Sequence, residues 1–556
     1  MEIDRPVRRW GGRAAVSLLL ALGCLAPPEP VGGRASGALV VTRPVPAAFK
    51  ASDDAAGAWL AAQQDVTGTQ LVDSFEDFSA PSTPILLSYT YDQAVAIIAL
   101  AVRGETARAA HILDAMVSLQ ATDGSWVNSY WAGNRAGEEL RKHVGPAAWM
   151  ALAVMNYEVL TGDTATYHPM ATAALDWALQ FTQTNGGLAG GLTTWAAGDG
   201  SWTPEPWSST EHNLDAFAAL QYFAATTPSK AESYRAAAAG IRRFLDGVVW
   251  DANRHRFWGG FRGGSVDGAV PLDVNPWSVL ALGPGYASAL AYVENAAADP
   301  GTDAEHPRYV EVLPFDGATI SLYDFDWESD GRAADPSAGD GVLGPDIWFE
   351  GSAFMSLAHA TVGNTVKADA IIGEIRKKQG ASGSRAGGVP YSLLGTNNQY
   401  WKMSQQNCVS STGWLVLAIH RWNPFTATEV EAGDAGDGGT AADAGAGDGG
   451  TPDGGVDAGG GGTLDGGVDA GAGDGGMPDG DAGDGGPTPT DAGPESSSDG
   501  GRAGGGDAGP RPSLDGGADN GGVTGGCTAA GLGSPVGLEL LLTAGLMGWR
   551  ASSRRR

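Results

Sequence analysis

Cysteine is nearly absent from this chain, which has 556 residues and three cysteines. Cys24 and Cys527 lie close to the two ends, so Cys408 is the one cysteine of the central region. A single thiol cannot form an internal disulfide, which excludes a disulfide-stabilised fold. The eight histidines are scattered, and the sequence contains no His-Glu-x-x-His pattern and no closely spaced cysteine pair. We therefore expect no metal site and no cofactor.

Basic residues are also scarce, with 34 lysines and arginines against 64 acidic residues and a net charge of -30. Because no basic stripe is present, nucleic acid is excluded as a partner. Much of the acidic excess is local, since residues 429–522 hold twenty acids and two arginines. That segment consists mainly of Asp, Ala, Gly, Thr and Pro and cannot bury enough apolar surface to fold. We predict a disordered acidic linker over residues 428–522.

Both ends of the chain resemble targeting segments. Arginines 5, 8, 9 and 13 precede an apolar run at residues 14–22, which predicts a secretory signal over residues 1–35. Near the other end, Gly525-Gly526-Cys527 precedes a largely apolar run and a terminal arginine cluster. Residues 523–556 resemble the C-terminal sorting segments of myxobacterial proteins. The resemblance implies that a sortase-like enzyme processes the chain at Cys527 and anchors it at the cell surface. An ordinary single-pass membrane anchor is the alternative.

Residues 51–427 form the predicted folded domain, in which one pattern recurs six times. An amphipathic helix is followed by a long Gly- and aromatic-rich loop and then by a more uniformly apolar helix, and a short connection leads to the next pair. The apolar helices start near Tyr91, Gly145, Glu211, Asn275, Asp346 and Ser411, and the amphipathic ones cover residues 54–63, 106–120, 169–184, 230–246, 286–298 and 366–379. Helices apolar on all sides belong inside a domain, and helices with a polar stripe belong outside. The pattern predicts an all-α fold, an (α/α)6 toroid, present as a monomer.

The long loops predict where function lies. Inner helices connect to outer helices by short turns, and outer helices connect back by long loops, so binding residues are expected on the long-loop face. These loops hold most of the aromatic residues, whose rings can stack against the C–H faces of sugars. We therefore expect an oligosaccharide or polysaccharide as partner. The candidate substrate-binding aromatics are Tyr91, Trp131, Trp207, Trp258, Trp348 and Trp401.

Carboxylates begin several inner helices, namely Asp92, Glu211, Asp346 and Glu350. Acids are common in the first turn of a helix, and Ser208 to Glu211 also fits a capping box, so capping is the alternative for each acid taken alone.

The neighbours of Glu211 are not explained by capping. Trp207 precedes it, His212 follows it, and Asp215 lies one turn further along the helix. A carboxyl group against aromatic walls tends to stay protonated and suits a general acid, whereas a solvated one suits a base or nucleophile. We include His212 and Asp215 among the candidate substrate-binding residues.

The stretches YTYDQA, STEHNLDAFAAL and DIWFEGSA open alternate inner helices. Together with the six-fold helix pattern they resemble the six-hairpin glycosidase superfamily. That resemblance implies a glycoside hydrolase with an acid at the N-terminus of an inner helix and a second carboxylate across the mouth. On this basis Glu211 is the expected acid, Asp92 is the first choice for the base and Glu350 is the second.

Three other functions are consistent with parts of the sequence. A polysaccharide lyase with the same toroid would use a Tyr or His base and a cation or amide at a uronate, for which the chain offers Tyr91, His212, Asn213, His255, Arg135, Arg254 and Arg256. A non-catalytic glycan-binding surface protein would use the aromatics alone. Residues 119–126 also match the Gln-Trp motif of terpenoid cyclases, but the motif occurs once, whereas those enzymes repeat it.

Overall fold

The computed structural model describes residues 44–76, 86–194, 200–267, 270–294, 309–326, 344–380, 386–396 and 403–430. The predicted secretory signal, nearly all of the acidic linker and the sorting segment with Cys527 lie outside the described residues, as does Trp401. No helix in the described part is long and apolar enough to cross a membrane.

Twelve α-helices make up the main architecture of the described part. They are α1 (Lys50–Asp65), α2 (Thr90–Val102), α3 (Thr106–Leu119), α4 (Val144–Thr161), α5 (His168–Ala178), α6 (Thr210–Thr226), α7 (Ala231–Phe244), α8 (Val274–Leu282), α9 (Ala287–Glu294), α10 (Phe349–Thr361), α11 (Thr365–Ile375) and α12 (Val409–His420). The even-numbered helices are the apolar ones and the odd-numbered helices the amphipathic ones, as the sequence predicts.

The even-numbered helices form a closed ring. Each packs against the next in the order α2, α4, α6, α8, α10 and α12, and α12 packs back against α2. Each odd-numbered helix lies outside the ring against an even-numbered neighbour, with α1 on α12 and α7 on α6. The predicted (α/α)6 toroid is therefore confirmed.

Burial explains why the two helix types separate. Every residue of α2 is buried, since Ala, Val, Ile and Leu occupy all its sides. By contrast, α7 buries Tyr234, Ala238, Gly240, Ile241 and Phe244, which lie on one face, and it exposes Arg and Glu on the other.

Short antiparallel strands that the sequence pattern did not predict lie in the long loops and after α12. These are β1 (Leu87–Tyr89), β2 (Ser129–Trp131), β3 (Arg141–His143), β4 (Gly191–Thr193), β5 (Thr203–Glu205), β6 (Ser208–Ser209), β7 (Trp250–Asp251), β8 (Arg256–Phe257), β9 (Gly260–Arg262), β10 (Ser265–Asp267), β11 (Val310–Phe315), β12 (Ala318–Tyr323), β13 (Val389–Pro390), β14 (Asn407–Cys408), β15 (Trp422–Asn423) and β16 (Thr428–Glu429). The sheets have the orders β1-β2, β3-β4-β5, β6-β9-β10, β7-β8, β11-β12, β13-β14 and β15-β16. Several of these strands end where an inner helix begins, so they fix the N-termini of the ring.

Polar side chains near the start of four inner helices bind the backbone of the preceding loop. The side-chain oxygens of Gln93, Asn213, Asn275 and Thr412 accept hydrogen bonds from the backbone N–H groups of residues 72, 188, 257 and 389, at 2.8 to 3.1 Å. We call these four residues the loop clamps. They hold each long loop against its own inner helix and so set the shape of the mouth.

The predicted boundaries need two corrections. The helix expected from Asp346 begins at Phe349, because Asp346 binds a neighbouring loop and Trp348 has an extended backbone. The folded domain also continues past residue 427, since β16 pairs with β15 and the backbone N–H of Val430 donates to Arg421 O at 2.7 Å.

Candidate active site

Aromatic rings from four inner helices meet at the centre of the ring, where they form the floor of the mouth. Tyr91 packs edge-on against Trp149, with ring centroids 5.1 Å apart. Trp149 lies 5.2 Å from Trp277 and 5.8 Å from Trp414. From the opposite end of the ring, Phe425 reaches within 5.4 Å of Trp149 and closes the floor. Sequence reasoning singled out Tyr91 but missed the three tryptophans, which lie up to two turns inside their helices.

Glu350 lies directly above this floor, in the first turn of α10. The Tyr91 hydroxyl donates a hydrogen bond to Glu350 Oε1 at 2.6 Å and accepts one from the Trp414 indole at 2.8 Å. Burial raises the pKa of Glu350 to about 7, although hydrogen bonds from Tyr91, Ser410 and Trp348 act in the other direction. At neutral pH this carboxyl group is therefore protonated in a large fraction of molecules.

Asp92, in the first turn of α2, is coupled to the same site. Its carboxyl group is buried, and burial raises its pKa well above the usual range. The nearby Ser74 hydroxyl opposes that rise, while the charges of Glu350 and Asp73 add to it. The structure thus brings together Asp92 and Glu350, two of the three predicted catalytic acids.

A second pair of carboxyl groups lies on the floor beside α8. Asp215 of α6 is buried, and its pKa is raised well above the usual range by burial and by the charge of Asp273. Asp273 caps α8, where its Oδ1 accepts from the Val274 N–H at 2.7 Å. Burial raises the pKa of Asp273 to about 7. Sequence reasoning missed Asp273, although an aspartate just before an apolar helix is a recognisable N-cap signal.

The predicted capping box of Ser208 with Glu211 is wrong. The residue that caps α6 is Ser209, whose hydroxyl accepts from the His212 N–H at 3.4 Å. Ser208 instead donates to Gln183 at 3.1 Å. Glu211 is buried and lies one turn before Asp215 on the same face of α6, because residues four apart share a helix face. Since Asp215 faces the floor, Glu211 lies above it, towards the mouth.

His212 and Trp207 pack together beside this helix. The two rings lie 5.6 Å apart, and His143 lies 5.4 Å from Trp207. Gly145 touches the imidazole, since a Cβ there would lie 2.1 Å from His212 Cδ2. A side chain at residue 145 would therefore displace His212. His143 is held by Glu205, at 2.7 Å from its Nε2.

The remaining predicted aromatics occupy different depths. Trp348 is buried and packs against Phe354 beside the floor. Trp258 is half-buried, and its ring stacks under the Arg256 guanidinium at 4.0 Å. Its backbone oxygen accepts a hydrogen bond from the Thr210 hydroxyl. Trp131 has 40% of its surface exposed and lies at the end of β2, away from the floor.

Asp346 does not belong to the site, although it lies near the start of α10. Its Oδ1 accepts from the backbone of Ile347, Leu393 and Leu394, and its Oδ2 accepts from the backbone and hydroxyl of Thr396. Five hydrogen bonds occupy the carboxylate, so its role is to hold the loop at residues 391–396. Among the described residues, no group of His, Cys, Asp and Glu has a geometry that could hold a metal ion.

Comparison with known proteins gives matches at the level of structure alone. No protein-family model matches the sequence, and no curated protein matches it. One similar solved structure is a glycosidase (15% identity, 67% of this chain and 96% of that chain, TM-score 0.48). A second is a D-mannose isomerase, with 13% identity, 67% of this chain and 96% of that chain covered, and a TM-score of 0.48. A third is an α-1,6-mannanase of Salegentibacter sp. in complex with α-1,6-mannotriose, with 10% identity, 68% of this chain and 99% of that chain covered, and a TM-score of 0.39. With TM-scores under 0.5, these similarities do not assign an activity, and the toroid rests on the closed helix ring.

Proposed function

We propose that this chain is a glycoside hydrolase of oligosaccharides or polysaccharides in which Glu350 is the proton donor. The observation that carries the proposal is the position of Glu350, which lies above an aromatic floor. Burial there raises the pKa of Glu350 to about 7. Glycosidic cleavage needs a carboxyl group that is still protonated at working pH and can protonate the leaving oxygen. The aromatic rings supply flat apolar surface for a sugar ring beside that group.

Glu211 is the proposed second carboxylate. It lies towards the mouth above the floor, on a helix two positions along the ring from that of Glu350. Relative to the expectation from sequence, the two roles are exchanged. Burial raises the pKa of Glu350, which suits the acid, and Glu211 is assigned the role of base. Asp92, the first choice for the base, instead has a pKa raised well above the usual range by burial and by the charge of Glu350, which disfavours the ionised form that a base needs.

The proposed reaction consumes one water molecule. Glu350 gives its proton to the glycosidic oxygen as the bond between that oxygen and the anomeric carbon breaks. Glu211 takes a proton from the water whose oxygen bonds to the anomeric carbon. Proton exchange with solvent then restores both carboxyl groups, so the overall change is hydrolysis alone.

The structure does not favour the lyase alternative. The Tyr91 hydroxyl is engaged by Glu350 and Trp414. Asn213 is a loop clamp, and Arg135 binds Thr69 O. Of the other residues suggested for a lyase, His255 is exposed and Arg256 binds the Tyr292 hydroxyl at 2.6 Å. Asn213, Arg135 and Arg256 are therefore already engaged by neighbouring loops and side chains.

Buried acids also argue against a pure glycan-binding protein. Asp92, Asp215, Asp273 and Glu350 are all buried with raised pKa values, which means that their ionised forms destabilise the fold at neutral pH. Aromatic stacking alone would not need such groups. Active sites commonly retain destabilising residues because the chemistry requires them.

The test is hydrolysis by the full-length chain of a panel of neutral and uronic polysaccharides. New reducing ends without an unsaturated product would establish a hydrolase, and an unsaturated product would establish a lyase. Glu350→Gln should lower kcat on the cleaved polymer by about 100-fold to 10,000-fold, the usual contribution of a general acid or base, and Glu211→Gln should do the same.

The matched control is Glu232→Gln on the exposed face of α7, which should keep full activity. If Glu350→Gln cleaves as fast as the unaltered chain, Glu350 is not the proton donor. Glycan binding by the unaltered chain without any turnover would instead support the binding-protein alternative.

We also propose that the enzyme is exported and anchored at the cell surface through Cys527. The support is the order of the sequence segments: a signal-like N-terminus, an acidic linker, and a terminal Cys, apolar run and arginine cluster. A linker of this composition would let the mouth reach polymer away from the cell. Cys527→Ser should shift the protein from the surface fraction to the membrane or the medium in cell fractionation, and an unchanged surface fraction would contradict the assignment.

A further inference from the structure

Asp215 and Asp273 are more than two acids near the candidate proton donor, because most of their hydrogen-bonding capacity is unused. Both residues are fully buried. Within the described residues, neither oxygen of Asp215 and only Oδ1 of Asp273 accepts a hydrogen bond of normal geometry. Buried polar groups in folded proteins are nearly always paired, so such a cluster needs an explanation.

Unused donors lie beside these unused acceptors. The indole N–H groups of Trp149 and Trp277 are buried and have no hydrogen-bond partner of normal geometry in the described part. The Trp149 indole interacts with Asp215 and partly offsets the rise in that pKa. Trp277 lies one turn below Asp273 on α8, and its ring is 5.2 Å from that of Trp149. The floor therefore combines acceptors, donors and flat apolar rings in one place.

This combination fits the hydroxyl groups of a sugar. A hydroxyl group both donates and accepts, so it can donate to a carboxylate while it accepts from an indole N–H. The C–H face of the same sugar ring can lie against the tryptophans.

The charge of the floor disfavours an acidic sugar. In the described part of the chain, no lysine or arginine forms an ion pair with Asp92, Asp215 or Asp273. The carboxylate of a uronic acid would therefore lose its water beside buried carboxyl groups without gaining a cation.

We propose that Asp215 and Asp273 form a recognition pair that binds hydroxyl groups of a neutral sugar residue and discriminates against uronic acids. The pair thus determines the substrate class of the hydrolase, and this inference rests on the function proposed above. Asp215 and Asp273 act in binding and specificity, and the proton transfers stay with Glu350 and Glu211.

The test measures binding by calorimetry at pH 7, with the full-length chain and with glucose, mannose, galactose, glucuronate and galacturonate as probes. The unaltered chain should bind at least one neutral sugar and bind its uronate at least about tenfold more weakly. Asp215→Asn together with Asp273→Asn should weaken neutral-sugar binding by about tenfold to 100-fold, the effect expected when hydrogen bonds to the two carboxyl groups are lost. The same change should reduce the preference for neutral sugar over uronate.

Three outcomes would overturn the inference. They are equal or tighter binding of uronates by the unaltered chain, unchanged neutral-sugar binding in the double variant, and no binding of any probe. Asp246→Asn is the matched control, since that residue lies on the surface with Arg242 and Tyr286 as partners. It should bind every probe as the unaltered chain does.

Stability separates a recognition pair from a structural one. Besides burial, the charge of Asp273 raises the pKa of Asp215 and also that of Glu350. Because burial disfavours the ionised forms, Asp273→Asn should raise the melting temperature at pH 8. Asp346 is a structural carboxylate, so Asp346→Asn should lower the melting temperature. A fall in melting temperature for Asp273→Asn would mean that the pair stabilises the fold and would contradict the inference.

The inference and the proposed function fail separately. If neutral sugars bind through the pair but no polysaccharide is cleaved, the hydrolase proposal fails and the pair remains. If the double variant cleaves a polysaccharide with unchanged kcat and KM, the hydrolase stands and the assignment of the pair is wrong.

Discussion

At the scale of single residues, the hydroxyl of Tyr91 controls the proposed proton donor. It donates to Glu350 at 2.6 Å, which stabilises the ionised form and holds the pKa of Glu350 below the value that burial alone would give. The same hydroxyl accepts from Trp414, so its orientation is fixed. Tyr91 therefore sets the pH at which Glu350 can act as an acid.

Tyr91→Phe should consequently raise the pKa of Glu350 further. The alkaline limb of the profile of kcat/KM against pH should move upward by about one pH unit, since one hydrogen bond to a charged group is worth about 1.5 kcal/mol and one pKa unit corresponds to about 1.4 kcal/mol. A purely structural role for Tyr91 would lower activity at every pH without moving the limb. Tyr222→Phe, at the opposite end of the ring, is the control that should leave the profile in place.

Individual acids also show which parts of the candidate site could be predicted from the sequence and which could not. The pattern correctly placed Asp92, Glu211 and Glu350 at inner-helix starts, because first-turn positions follow from helix boundaries. It could not distinguish Asp346, whose five hydrogen bonds come largely from a loop some fifty residues away in sequence. Nor could it pair Asp215 with Asp273, since that contact depends on how α6 and α8 pack.

At the scale of elements, helix periodicity was sufficient to predict the ring but not the loops. Apolar residues all around α2 and a single apolar face on α7 distinguish inside from outside without any tertiary information. The strands of the mouth are mostly two or three residues long, and their pairing depends on distant partners, as in β6 with β9. Such strands carry no periodic signal, so they cannot be predicted from the sequence.

The loop clamps make a prediction at this scale. Asn213 accepts from Leu188 N at 2.8 Å and donates to Leu188 O at 3.2 Å and to Ser209 O at 2.7 Å. Asn213→Ala should lower the free energy of unfolding by about 2 to 4 kcal/mol, because it leaves buried backbone groups unpaired. Urea unfolding would measure the loss. Gln221→Ala, on the exposed side of the same helix, should change stability by less than about 0.5 kcal/mol, and equal effects would show that the clamp contributes nothing.

At the scale of the whole molecule, carboxyl groups at the two ends of the ring respond to pH in opposite directions. At the short-loop end, Glu294 accepts hydrogen bonds from His359, Lys367 and Tyr323. Burial alone would raise its pKa, but these bonds outweigh burial and lower it to about 2. At the mouth, burial raises the pKa values of Asp273 and Glu350 to about 7. The first group stabilises the fold when ionised, and the second group destabilises it when ionised.

The substrate-free protein should therefore be most stable at about pH 4 to 5. Below that range, Glu294 contributes less as the pH falls from the unfolded pKa of 4.5 towards the folded value of about 2, a loss of about 3 kcal/mol in total. Above it, stability falls as the pH rises from about 4 to 7, because unfolding releases Asp273 and Glu350 to ionise in water. Melting temperatures from pH 3 to pH 8 would test this curve. Glu294→Gln should flatten its acid side and Asp273→Asn its neutral side, while a maximum at pH 7 or above in the unaltered chain would show that the mouth carboxyl groups are not destabilising.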